Sequence, residues 1–192
     1  MQKLTAINAS SCARLHLKCL PEDFLASLGY KFLYSLYKSM LQLDDISAWG
    51  IFYKSELTGF VIGISDSSTM TIRILRKNFK ELVLWLTFKL IVNPLIIFNL
   101  LDTLFYSSRQ PHKCESELLF IGVSEKWRRN EVGNRLIEQL FRDFKQKGIK
   151  CFSVNVYQKN LRANLFYQKL NGKLIGEFYL YHQHWNSYLF KF

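Results

Sequence analysis

The stretch "LLFIGVSEKWRRNEVGNRLIEQLF" (Leu118–Phe141) decides how this chain reads. It begins as an apolar run that belongs to a strand over Ser116–Val123. It then passes through a basic turn with a single glycine and continues as an amphipathic helix predicted over Val132–Gly148, which ends at a glycine. A turn of this kind suits an anion. The first N–H groups of a helix have no internal partner, the helix dipole places partial positive charge there, and glycine lets a ligand approach the backbone. Arg128, Arg129 and Arg135 add formal charge and paired donors. The plainer alternative is a solvated basic turn.

Downstream, "IKCFSVNVY" (Ile149–Tyr157) alternates as a strand. "NLRANLFYQKLNG" (Asn160–Gly172) reads as a short helix capped by Asn160 and closed by Gly172. Two aromatic runs, "KLIGEFYLY" and "HWNSYLFKF", should pair as a hairpin. Upstream, "SSCARLHLKCL" (Ser10–Leu20) and "FLASLGYKFLYSLYKSML" (Phe24–Leu41) have helical spacing, with Tyr30, Tyr34 and Tyr37 on one face. "AWGIFYK" (Ala48–Lys54) and "LTGFVIGISD" (Leu57–Asp66) read as a strand hairpin.

Between the two halves the chain turns apolar over Leu82–Tyr106, "LVLWLTFKLIVNPLIIFNLLDTLFY". Hydropathy alone would let it span a bilayer. Lys89 near the middle, the break at Asn93-Pro94, and the interruptions at Asn99 and Asp102 argue instead for two helices packed on the domain. A membrane-surface or partner-binding helix pair is the alternative, since aromatic and lysine residues suit an interface. Mixed strands and helices place the chain in the α/β (α+β) class.

With 192 residues, 49% of them hydrophobic, one sizeable core is expected, with disorder limited to the first few residues. The net charge of +11 implies attraction to anions, but the basic residues are spread along the chain, so a nucleic-acid arm is not indicated. Cys12, Cys19, Cys114 and Cys151 form no CxxC pair and no zinc spacing with the histidines; reduced thiols and no metal are expected. "MQKLTAINASS" lacks an apolar signal core, which points to a cytoplasmic protein, with peripheral membrane contact through 82–106 as an added expectation.

The turn resembles the acyl-CoA pyrophosphate loop of the GNAT superfamily of N-acetyltransferases, whose pattern is Arg/Gln-x-x-Gly-x-Gly/Ala after an apolar strand end. Here it reads Arg128-Arg129-Asn130-Glu131-Val132-Gly133 after Val123, with Glu131 in place of the first glycine. A second segment is similar to the family's Asn-x-x-Ala-x-x-(Phe)-Tyr-x-x-x-Gly, carried by Asn160, Ala163, Phe166, Tyr167 and Gly172. The resemblance covers Glu115–Gly172 well and the C-terminal hairpin loosely.

It implies one acetyltransferase domain over 1–192. The central sheet is mixed and mostly antiparallel, flanked by helices, with an apolar helical insertion between strands 3 and 4 at about 76–110. It also implies acetyl-CoA as acyl donor, held by Ile121, Gly122 and Val123, by the turn Arg128–Arg135 including Asn134, and by Asn160, Ala163 and Phe166. Tyr167 is the implied acid that protonates the departing thiolate. Glu117 is the candidate base, expected to share a strand face with Leu119, Ile121 and Val123. Pairing of Glu117 with a lysine or arginine at the start of the strand is the alternative, and Glu115, His182 and His184 are further candidates.

The implied activity is transfer of an acetyl group to a primary amine of a small molecule, by direct attack. Similarity of "LHLKCLPEDFLASLGYKFLYSLY" to members associated with surface-sugar synthesis makes a nucleotide-linked amino sugar the first acceptor to test. A monomer or homodimer is expected. The competing reading is a catalytically degenerate GNAT-like domain that binds a membrane surface or partner.

Overall fold

The computed structural model describes residues 1–77, 79–104, 106, 110, 111 and 114–192. Residues 78, 105 and 107–109 of the expected 76–110 insertion lie outside the described residues. In chain order the elements are β1 (Gln2–Lys3), a short 3-10 turn (Ala6–Asn8), α1 (Ala9–Cys19), α2 (Phe24–Ser27), α3 (Tyr30–Met40), β2 (Ile46–Tyr53) and β3 (Glu56–Ile64). There follow α4 (Met70–Lys77), α5 (Phe79–Val92), α6 (Ile96–Leu104), β4 (Glu117–Val123), a 3-10 turn (Glu125–Trp127), α7 (Val132–Gln146), β5 (Cys151–Tyr157), α8 (Leu161–Lys169), β6 (Lys173–Leu180) and β7 (Gln183–Lys191).

The strands form one sheet in the order β1-β2-β3-β4-β5-β7-β6. Every neighbouring pair is antiparallel except β4–β5. The mixed, mostly antiparallel sheet with a helical insertion between β3 and β4 is the expected class. Each face has its own core. On one side α1 and α3 bury Leu33 and Tyr37 against Phe60, Ile62 and Ile64. On the other, α7 and α8 bury Leu136, Leu140, Phe144 and Tyr167 against Val61, Phe152, Val154 and Tyr188. Gly63 is required by the second core: a Cβ there would stand 2.5 Å from Cζ of Phe144.

The structure corrects several local expectations. The helical pattern over Phe24–Leu41 is two helices, because Gly29 adopts φ +90 and separates α2 from α3. Gln2 and Lys3, expected to be disordered, pair with Gly50 and Trp49. The left-handed residue that ends α8 is Asn171 (φ +63), one place before the expected Gly172. Gly172 is small for another reason, since a Cβ would meet Phe190 Cζ at 2.7 Å and the Tyr167 carbonyl oxygen at 2.9 Å. Cys114 and Cys151, expected to be reduced, are joined as a disulfide. Their spacing carries no motif; they meet because β4 and β5 start side by side, with the Ser153 N–H donating to Ser116 O at 2.9 Å.

The insertion breaks at Asn93-Pro94, where Asn93 Oδ1 accepts from the Leu95 N–H at 3.2 Å. It is anchored at both ends. Trp85 Nε1 donates to Leu28 O at 3.1 Å, and Asp102 Oδ2 accepts from the Tyr181 N–H at 2.9 Å. Among the described residues no helix is long and apolar enough to cross a membrane.

Candidate active site

β4 and β5 begin as parallel neighbours and then part. Only Glu117↔Ser153 and Leu118↔Val154 are paired, although β4 runs on to Val123 and β5 to Tyr157. From Leu119 onward the edge of β4 that faces β5 is unpaired, and alternate N–H and C=O groups of Ile121, Gly122 and Val123 face a wedge between the strands. α7 starts where β4 ends and α8 where β5 ends, so two helix N-termini flank the open end of this wedge.

The register of β4 overturns the expected alternation. Ile62 pairs with Phe120 and Gly63 with Leu118, so Leu119 is an extra residue, a bulge. Leu118, Ile121 and Val123 therefore pack toward α7, whereas Leu119 and Phe120 pack toward α1 and α3. Glu117, preceding Leu118, lies on the α1/α3 side and does not share a face with Ile121 and Val123. Period-two reasoning fails here because one inserted residue flips every side chain beyond it.

The turn has the features of an anion site. Arg129 (φ +65) and Glu131 (φ +56) are both left-handed. Glu131 is the N-cap of α7 and makes no side-chain cap bond, and the first helical bond closes only at Arg135 N–H to Glu131 O, 3.0 Å. The N–H groups of Val132, Gly133 and Asn134 form the first turn of α7 and have no partner four residues back inside the helix. Arg128 Nε donates to Val123 O at 3.2 Å, which ties the turn to the strand end. Arg129, Asn130, Asn134 and Arg135 are exposed, whereas Val132 is buried in the core beneath them. Glu131 is exposed and, among the described residues, without a salt-bridge partner. Its left-handed φ explains why glycine suits this position: the backbone needs a conformation that a side chain opposes.

α8 brings the second segment to the same wedge. Phe166 stands over the first turn of α7, close enough that a Cβ on Gly133 would lie 3.6 Å from its ring. Asn160 caps α8, its Oδ1 accepting from the Ala163 N–H at 3.1 Å, which leaves the amide NH₂ exposed. Tyr167 is 4% exposed, ringed by Phe166, Tyr188 and Phe190. Burial pushes its phenol well above the ordinary value and keeps it protonated.

Glu117 lies at the root of the wedge on the opposite sheet face and is 1% exposed. Tyr106 Oη donates to Oε1, Asn155 Nδ2 donates to Oε1 at 3.0 Å, and Gln110 Nε2 donates to Oε2 at 3.1 Å. Asn155 also donates to Tyr106 Oη at 2.7 Å. Burial raises the Glu117 carboxyl, and these hydrogen bonds work against the rise. Among the described residues Glu117 has no salt-bridge partner; Arg109 and Lys113, the cations just before the strand, lie outside the described residues.

Tyr106, Gln110 and Asn155 are functional candidates the sequence reading misses. Asn155 carried a signal, a polar residue in the middle of a strand between two buried valines. Tyr106 and Gln110 carried none, because the fold of the insertion alone brings them there. Glu115 is exposed and outside this network. His184 is exposed at the hairpin, packed on Tyr179, and His182 lines a cavity of about 650 Å³ between α2, the α5–α6 elbow and the hairpin turn. Among the described residues no group of His, Cys, Asp or Glu is arranged to hold a metal.

The sequence profile of the acetyltransferase (GNAT) family matches residues 11–172. The chain belongs to the GNAT family of acetyltransferases. It is an acetyl-CoA-dependent N-acetyltransferase, an acyltransferase. No curated protein sequence matches the chain. Solved GNAT structures share the fold at low identity. An aminoglycoside 6'-N-acetyltransferase complexed with coenzyme A is 13% identical at TM-score 0.62, covering 99% of this chain and 95% of that one. Arabidopsis thaliana NAA60 in complex with a bisubstrate analogue is 14% identical at TM-score 0.58, covering 100% and 95%. The ribosomal-protein-S18-alanine N-acetyltransferase of Escherichia coli is 12% identical at TM-score 0.56, covering 98% and 88%.

Proposed function

We propose that the enzyme acetylates a primary amine of a small molecule by direct attack, with Glu117 as the base and Tyr167 as the acid. The observation that carries this reading is the wedge between β4 and β5, with a buried carboxyl at its root on one sheet face and a buried phenol on the other. The unpaired β4 edge at Ile121–Val123 suits the pantetheine arm and offers N–H donors to the negative charge that develops on the thioester oxygen. The N–H groups of 129–134, with Arg128, Arg129 and Arg135, suit the pyrophosphate. Phe166 and the free amide of Asn160 border the path between them.

Glu117 is enclosed, so a proton reaches it through Tyr106. The attacking amine gives its proton to Tyr106 Oη as the phenol passes its own proton to Glu117. The raised proton affinity of Glu117 suits this role. As the C–S bond breaks, Tyr167 donates its phenolic proton to the sulfur.

For the acceptor we propose an anionic amino sugar, such as a nucleotide-linked one. Two aminoglycoside 6'-acetyltransferases share the fold. A chain of +11 charge favours an anionic acceptor over a polycationic one. The test is a thiol-release assay with acetyl-CoA against nucleotide-linked amino sugars, neutral amino sugars and polyamines. Turnover on the anionic sugars supports the reading. Preference for polyamines overturns the acceptor, and no turnover on any amine overturns the catalytic assignment.

A further inference from the structure

We infer that the α5–α6 elbow is a docking surface for an anionic lipid bilayer. The two helices are apolar beyond what the core uses. Leu84 is 73% exposed, Ile91 83%, Leu95 70%, and Val92, Phe98 and Leu101 are exposed with them. A helix that is apolar all round belongs inside a core or against lipid, and this pair covers the domain with only part of its surface.

Neither helix is long enough to cross a bilayer. At 14 and 9 residues they reach roughly 21 and 14 Å, against a hydrocarbon core of about 30 Å. The pair therefore lies along the surface. The turn at Asn93-Pro94 presents Ile91, Val92 and Leu95 together at its tip.

Charge selects the partner. Lys31 and Lys89 flank the half-buried Trp85, each ammonium within 6 Å of the indole ring centroid (5.9 and 5.8 Å), and Lys89 Nζ donates to Ser27 O at 3.4 Å. Arg76 and Lys77 are exposed at the end of α4. Over 70–104 the sequence carries five lysines and arginines against two carboxylates, Glu81 and Asp102, and Asp102 accepts from the Tyr181 N–H. Indole and ammonium groups beside exposed aliphatic residues match the level of lipid headgroups. A second copy of the chain would bring its own +11 charge, whereas an anionic bilayer is complementary to it. Docked in this way, the cavity of about 650 Å³ at the elbow lies at the lipid surface.

The test is flotation of the full chain with vesicles of phosphatidylcholine, alone or with about a third phosphatidylglycerol. It is run for the wild type and for an Ile91→Glu/Leu95→Glu variant, with melting temperature and acetyl-CoA binding as controls. Both positions are exposed and outside the wedge, so the controls should not move. The wild type is expected to float with anionic vesicles and to be released as salt rises from about 0.1 to about 1 M, as the screening length falls from about 10 to about 3 Å. The variant is expected to bind at least tenfold more weakly. Absence of wild-type flotation, equal flotation of the variant, or equal binding to neutral vesicles would overturn the proposal. So would a wild-type dimer that the variant dissociates, which would make the elbow a self-interface.

Discussion

Replacing Glu131 tests the turn at its most unusual residue. A non-glycine side chain in the left-handed region costs about 1–2 kcal/mol, and Glu131 carries that cost at φ +56. Glycine removes it but gives back about 0.4–1 kcal/mol through the freer unfolded chain. Glutamine keeps the strain and removes only the charge. Glu131→Gly should therefore exceed Glu131→Gln in stability by about 0.5–1 kcal/mol, a melting difference of roughly 1–4 °C for a domain of this size. The charge acts on the cofactor. A carboxylate about 6 Å from a pyrophosphate of two charges, across the first helical turn, is repelled by about 1.4 kcal/mol at the dielectric constant of water. Both variants should then bind acetyl-CoA about tenfold more tightly. Differential scanning fluorimetry and isothermal titration read the two effects separately. If the two variants melt together, the backbone at residue 131 carries no strain. If neither binds more tightly, the pyrophosphate does not lie at this turn.

Tyr167→Phe removes the proposed acid without opening the core, and turnover should fall by roughly 10²–10⁴-fold while acetyl-CoA affinity stays unchanged in a titration; parallel loss of both would contradict the role. Glu117 must be ionised to act, and burial raises its carboxyl, so kcat/KM should fall with decreasing pH at a value above the ordinary carboxylate range near about 4.3. Glu117→Gln should abolish that acid limb, and a pH–rate profile unchanged by the substitution would remove Glu117 from the mechanism. Gly63→Ala should destabilise the domain by about 1–3 kcal/mol, read as a lower melting temperature, because the new methyl meets Phe144 and Leu140 in a filled core.

Much of the sheet and the anion turn was legible because each depends on local chemistry. Arg128 and Arg129 sit between a strand and a helix whose first turn holds Gly133, and Asn160 announces a cap by its own side chain. The bulge at Leu119 was not legible, since nothing in "ELLFIGV" distinguishes seven regular strand residues from six and an insertion. That one residue decided which face Glu117 occupies. The Tyr106–Glu117–Asn155 network was hidden for another reason. Its members come from the insertion, β4 and β5, and only the docking of α6 on the hairpin through Asp102 and Thr103 sets Tyr106 over the carboxylate. Gly172 is the obvious residue to close α8, yet Asn171 takes the left-handed position, since asparagine also tolerates it.

The central claim is that the N–H groups and arginines at the start of α7 hold the pyrophosphate of acetyl-CoA. Calorimetric titration of the wild type and of Arg129→Glu tests it most directly, because the substitution reverses a charge at an exposed residue and leaves the core intact. The account predicts saturable one-to-one binding by the wild type and at least a tenfold loss in the variant. Equal binding by both proteins, or no binding by the wild type, would contradict it.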